Sequence, residues 1–448
     1  MEKYFILNGS QKVIMNQNID KKTVELLFKS FSLDLCQVDF LSTEEYVFII
    51  GELETPVMSE GKEFIICVNE KGIAIKGKDK NTLMRAILVF MQNINLCEEN
   101  VAKIPYCKWE SNYNLSNRMI HFCVFPATEF YFLKKMIRLA GLCQYTHVVL
   151  EFWGMLQFDC LKELAWPFAY TKEQAKELID EIRNFGMEPI PMINSLGHAS
   201  FARGCYGKHV VLDQNPKLQS LFTPDGWAWN IESPKVCALL KSIREELYEL
   251  FGEGEYIHIG CDEAYYYSHC EEKRKLLPAY MAKLTADIVK ENRRPMIWMD
   301  MFLEKDKYKD CYTAGIPGEV EELVNTLDAR TVLIDWQYDV RKAPVESLEF
   351  LAGDKHDVMG APWLRLENEQ AHVETLTKNN MFGLMLTTWH TLKADAPFIY
   401  TCAKHFNGSF EWAKYSFFNE ATATLVRKIS FEGIDYTSSG WARKEIDV

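Results

Sequence analysis

The sequence predicts an α/β fold, a (β/α)8 barrel of the TIM type preceded by a small α+β domain. Three observations carry that expectation. From Arg118 onward, short apolar runs alternate with helical stretches, the rhythm of βα units that build a parallel sheet. Eight such runs fit within a span of about 280 residues, the size of a closed barrel. The first 110 residues follow a different rhythm, strand-turn-strand-helix.

In the N-terminal part, Tyr46 to Ile50 and Phe64 to Val68 read as strands, Glu70-Lys71-Gly72 as a hairpin turn, and Ile73 to Lys76 as the return strand. Asn81 is placed to cap a helix through Phe90, with Leu83, Ala86, Ile87 and Phe90 on one face. Residues 106–117 are polar and turn-rich, so the expected division is 1–110 for the non-catalytic domain, 111–395 for the barrel and 396–448 for a C-terminal helical segment packed on it. The eight expected barrel strands are Arg118 to Val124, His147 to Phe152, Glu188 to Ile193, Tyr256 to Gly260, Met296 to Met299, Val332 to Asp335, Val358 to Ala361 and Leu384 to Thr387. Thr171 and Gln174 form a capping box before a helix that Gly186 ends. Ser233-Pro234 starts another, which stops at Gly252.

Composition bounds the function. At 448 residues, with 48% hydrophobic and 25% charged side chains, the chain is long enough for one large domain and a smaller one. A net charge of -13 argues against a polyanion partner such as nucleic acid, which needs clustered Lys and Arg. No apolar run is long enough to span a bilayer, and the Met1 to Gly9 stretch has no signal-peptide pattern, so the expectation is a cytoplasmic protein with no membrane partner. The 13 cysteines are scattered without Cys-x-x-Cys spacing, which predicts reduced thiols, no metal site and no cofactor.

Barrel enzymes assemble their sites at the C-terminal ends of the strands. Asp262 and Glu263 stand side by side at the end of the fourth run, after Tyr256-Ile257-His258-Ile259-Gly260-Cys261, where like charges repel unless a ligand or proton lies between them. Three tyrosines follow, Tyr265 to Tyr267. Glu151 ends the second run, and Asn194, Gly197 and His198 follow the third. Three later strands end in tryptophan: Trp298 with Asp300, Trp336 with Tyr338, and Trp389 with His390; Trp363 is a fourth on the seventh strand. Indole faces stack on the apolar face of a pyranose and on a methyl group, so these positions predict a walled sugar pocket.

The pattern His258-x-Gly260-x-Asp262-Glu263 resembles glycoside hydrolase family 20, the exo-acting β-N-acetylhexosaminidases. Within that family the sequence is most similar to the branch typified by hexosaminidase D, over roughly residues 118–395: Leu150-Glu151-Phe152, Leu196-Gly197-His198, Ile257 to Tyr266, Ile297 to Met301, Trp336-Gln337-Tyr338 and Leu386 to Trp389. Arg118 opens the first strand in a place resembling the family's sugar-gripping arginine. Pro191 to His198 resembles the family's Pro-Glu-x-Asp-x-Pro-Gly-His with Met192, Asn194 and Leu196 substituted. Leu364 and Leu366 stand where the secreted branch keeps an acetamide-binding tyrosine and an aspartate, and Thr391 replaces a glutamate.

The resemblance implies release of terminal β-linked GalNAc or GlcNAc with the substrate's own acetamide as nucleophile. Glu263 is then the acid and base, and Asp262 orients the acetamide; adjacent residues on an extended segment point to opposite sides, so the two do not flank one bond in the ordinary retaining way. His198 orients the acid, and Tyr338 is placed to supply the missing hydroxyl. The implied partner is an amino-sugar glycoside, with a homodimer left open. The alternatives are a non-acetylated or 6-modified amino sugar, or a catalytically silent carbohydrate-binding barrel. A phosphate-binding barrel lacks its Gly-rich loop in 361–367 and 387–392.

Overall fold

The computed structural model describes residues 3–407 apart from 31–32, 36, 43–44, 93, 99–100, 201–211, 213–214, 354 and 390–391. Eight parallel strands close into a barrel in chain order: Asn117–Cys123, His147–Glu151, Glu188–Met192, Tyr256–His258, Arg294–Trp298, Val332–Asp335, Asp357–Gly360 and Gly383–Thr387. All eight match the expected runs to within two residues. Their residues are buried nearly throughout, because parallel strands covered by helices have no solvated face, and that is why they read as unbroken apolar runs. Inside the barrel, Met119, Val149, Ile190, Met296, Ile334, Met359 and Met385 pack with Trp298 into one apolar cluster.

Helix boundaries follow local chemistry. The helix Lys172–Asn184 starts with the full capping box of Thr171 and Gln174, and Gly186 turns the chain at φ 74° into the third strand. The helix Pro234–Phe251 starts with proline and ends at Gly252 with φ 70°, one turn short of the strand that delivers the acid pair. The fourth strand is shorter than expected. Positive φ at Gly260 (65°), Cys261 (75°) and Glu263 (47°) bends the backbone out of the sheet before the acids are reached.

The N-terminal part holds more strands than the sequence suggests. Its six-stranded sheet runs in the order Gln37–Leu41, Lys12–Asn16, Tyr46–Gly51, Gly72–Gly77, Phe64–Asn69 and Cys107–Glu110, and a three-stranded sheet joins Tyr4–Leu7, Val101–Pro105 and Asn95–Glu98. The stretch read as a polar boundary therefore contains an edge strand, Cys107–Glu110, paired with Phe64–Asn69. The helix Lys80–Gln92 is capped by Asp79, whose carboxylate accepts the Thr82 N–H at 2.8 Å, rather than by Asn81.

This domain sits on the N-terminal ends of the barrel strands. Arg118, the second residue of the first strand, is fully buried there and forks onto both carboxylate oxygens of Glu63 at 2.8 and 3.0 Å. Arg85 shares the same carboxylate at 2.9 Å. Burial works to raise the Glu63 pKa, but the two guanidiniums prevail and hold it at about 2. No helix among the described residues is long and apolar enough to cross a membrane.

Candidate active site

The turn after the fourth strand brings the two acids together. Backbone that expectation treated as extended is twisted by the left-handed φ at Glu263, so the side chains of Asp262 and Glu263 converge instead of diverging. His198 Nε2 lies 3.3 Å from Asp262 Oδ2 and 3.0 Å from Glu263 Oε2, a shared partner for two like charges. The third-strand loop is pressed on this turn: a Cβ on Gly197 would sit 2.0 Å from the Asp262 carbonyl oxygen, and one on Gly260 would sit 2.4 Å from Asn194 Oδ1.

Each acid has its own surroundings. Asp262 is 6% exposed, and its Oδ1 is buried with no donor among the described residues. Glu263 is more open. Its Oε1 accepts the Tyr265 hydroxyl, its carbonyl accepts Trp227 Nε1–H at 2.7 Å, and its N–H is donated to Asp300 Oδ2 at 2.9 Å. Asp300 accepts Trp336 Nε1–H at 3.3 Å through its other oxygen. Burial, and then the charges of Asp262 and Glu263, push the Asp300 carboxyl well above the usual range, so it favours its protonated form. Burial likewise raises the phenols of Tyr265 and Tyr338, which therefore remain hydroxyl donors.

Aromatic rings line one side. Trp227 packs on His198 at 4.5 Å, Tyr312 stacks on Trp336 at 5.2 Å, and Trp336 meets Tyr338 at 5.1 Å. Tyr338 meets Trp363 edge-on at 5.3 Å and accepts Trp389 Nε1–H at 3.1 Å. Of the expected residues, Asp262, Glu263, His198, Asp300 and Trp336 form one hydrogen-bonded group, and Tyr338, Trp363 and Trp389 continue from it.

Three expectations need correction. Arg118 is not at the mouth: it opens its strand, so it lies at the opposite end of the barrel, where Glu63 and the Tyr113 ring, 3.8 Å from its guanidinium carbon, hold it. Trp298 has no exposed surface and belongs to the barrel interior, beside His258 at 4.4 Å, so it supports the pocket wall from within. Glu151 is buried between His121 Nε2, at 3.0 Å, and Asn194 Nδ2, at 2.7 Å, beneath the mouth. His390 and Thr391 lie outside the described residues, as does most of 201–214.

Tyr312 was not legible in the sequence. It sits in a loop without periodicity, and only the rule that loops after barrel strands build the site points near it. The absence of Cys-x-x-Cys spacing also hid a group that the fold assembles from two strands: His121, Cys123 and Glu151.

The glycosyl hydrolase family 20 catalytic domain profile matches residues 162–343. Human hexosaminidase D is 26% identical over 193 residues, 40% of this chain and 37% of that protein. The chain thus matches well under half the length of this relative. The fold is similar to that of a Vibrio harveyi family 20 exo-β-N-acetylglucosaminidase, with a TM-score of 0.69, 13% identity and coverage of 96% of this chain and 75% of that one. A Streptomyces plicatus β-hexosaminidase mutant gives a TM-score of 0.67 at 12% identity, covering 96% and 94% of the two chains. By the profile match over 162–343 and by its closed barrel, this chain is similar to the glycosyl hydrolase family 20 catalytic domain.

Proposed function

We propose that the protein is an exo-acting β-N-acetylhexosaminidase that works with retention through the substrate's own acetamide. The observation that carries this reading is the unequal pair: two carboxylates on one imidazole, with the inner one keeping a buried oxygen that has no donor among the described residues. A buried acceptor left unpaired costs about 1–3 kcal/mol, and an acetamide N–H is a donor of the right kind.

In this scheme Asp262 holds the acetamide N–H, which turns the carbonyl oxygen toward the anomeric carbon. That oxygen attacks, the bond to the leaving oxygen breaks, and Glu263 delivers its proton to the leaving group. Asp262 then faces the positive charge of the cyclic oxazolinium. Water, deprotonated by Glu263, attacks the anomeric carbon from the side the leaving group vacated, which gives net retention and returns the proton to the acid. A protein nucleophile would need a second carboxylate about 5 Å away across the reacting carbon. Asp262 and Glu263 instead meet at one nitrogen atom, which favours the amide as nucleophile.

Human hexosaminidase D and the Vibrio exo-β-N-acetylglucosaminidase carry names that fit this substrate class. We infer a cytoplasmic protein, with support from Cys67, Cys143, Cys261 and Cys402, which are free thiols. Glu263→Gln and Asp262→Asn should each lower turnover of an aryl 2-acetamido-β-glycoside by at least about a hundredfold while the melting curve stays intact. A panel of N-acetylgalactosaminide, N-acetylglucosaminide and free-amine galactosaminide tests the acetamide. Equal rates on the free amine, or a first-formed α-anomer in the product, would overturn the reading.

A further inference from the structure

Below the mouth, the first two barrel strands bring three ligand-type side chains to one point. In their parallel register Cys123 lies opposite Glu151, and His121, two residues earlier, shares the face of Cys123. One ligating atom from each lies within 4.8 Å of the others, and none of the three residues is more than 1% exposed. The His121 ring packs on Trp389 at 4.9 Å, and Asn194 steadies Glu151 from behind through the 2.7 Å bond to its other oxygen.

We propose that His121, Cys123 and Glu151 form a binding site for a divalent transition-metal cation of the zinc class. The donor set supports this: imidazole nitrogen, thiolate sulfur and carboxylate oxygen are zinc's three protein ligand types, and three of them leave one position open. Charge supports it as well. Thiolate and carboxylate together cancel a 2+ ion, so the loaded site adds no net charge to an interior where an isolated ion is heavily penalised. The Asn194 bond to Glu151 is the kind of outer contact that orients a metal ligand.

Loading releases the Cys123 thiol proton to solvent, and His121 binds through Nε2 in the tautomer that leaves that nitrogen bare. The metal replaces the 3.0 Å contact between His121 and Glu151. With metal-ligand distances of about 2.0–2.3 Å, ligand atoms come to lie roughly 3.5 Å apart, so side-chain shifts of about 1 Å suffice. The competing account is a buried His-Glu hydrogen bond beside an inert thiol. It predicts no metal affinity.

The test uses the full chain, freed of metal with a chelator and titrated with Co2+. Binding of one equivalent with a thiolate-to-cobalt charge-transfer band in the near ultraviolet, bleached by an equivalent of Zn2+, supports the site. Cys123→Ser should lose the band and weaken binding by more than about tenfold; Glu151→Gln should weaken binding comparably yet keep the band. A wild-type chain that binds no cobalt overturns the proposal. So does a band that survives in Cys123→Ser, or, should that variant fail to fold, wild-type affinity in Glu151→Gln. None of these readouts depends on glycoside turnover.

Discussion

Tyr338 shows how much one side chain can be asked to do. Its hydroxyl already accepts the Trp389 indole N–H, and burial keeps the phenol protonated, so its own proton is available to an oxygen gaining charge. Tyr338→Phe should lower kcat/KM on an N-acetylated substrate by about ten- to a hundredfold, the 1.5–3 kcal/mol of a hydrogen bond to a charged group. Unchanged kinetics would remove the tyrosine from the site. At this scale the sequence was readable where a motif fixes spacing, as for Asp262, Glu263 and His198. It misled where resemblance ignored direction: Arg118 begins its strand, and a strand's start and finish lie at opposite ends of a barrel. Glu151 was expected at the mouth because it ends its strand, but its partners are His121 on the first strand and Asn194 after the third, which linear reading does not reveal.

The elements that matter most are two loops in contact. Those after the third and fourth strands touch at Gly197, where any side chain would strike the backbone of Asp262. Gly197→Ala should therefore move the acid pair. Activity is expected to fall by about a hundredfold, the scale of a misplacement near 1 Å, while stability changes by only about 1–3 kcal/mol. Turnover and urea midpoints measured on the same preparation check the contrast; parallel losses would mean that the loop merely holds the fold. Barrel strands were legible because burial on both faces leaves an unbroken apolar signature. The outer strands of the N-terminal sheet were not. Cys107–Glu110 is largely exposed and shows no alternation, and Gln37–Leu41 alternates over only four residues before Leu41, with Phe40 half-exposed, too short a signal to mark a strand.

At the scale of the molecule, Glu63 joins the two parts by neutralising Arg118 and Arg85 at once. Glu63→Gln strands two buried guanidiniums and should cost about 3 kcal/mol at neutral pH, the lower end for breaking a buried pair because Glu63 is partly exposed. The pH dependence has a definite sign. The folded carboxyl titrates at about 2 against 4.5 for the ordinary group, so its contribution is complete above about pH 4.5 and is lost as pH falls toward 2. Denaturant midpoints of wild type and variant should converge over that window; a constant gap would assign the cost to packing. None of this junction was visible in advance, because Glu63 and Arg118 are 55 residues apart and belong to different rhythms of the chain.

The position of that junction also decides how the molecule can be mounted. The N-terminal part meets the barrel at the start of its first strand, and the acid pair opens at the other end, about 17 Å of strand away. Anchored to a bead through the six-stranded sheet, the protein would present the opening with the acid pair to the bulk solution. On the proposed activity, bulky glycans should then be cut as readily as by free protein, whereas attachment through the loops beyond the strand ends should leave only small aryl glycosides accessible.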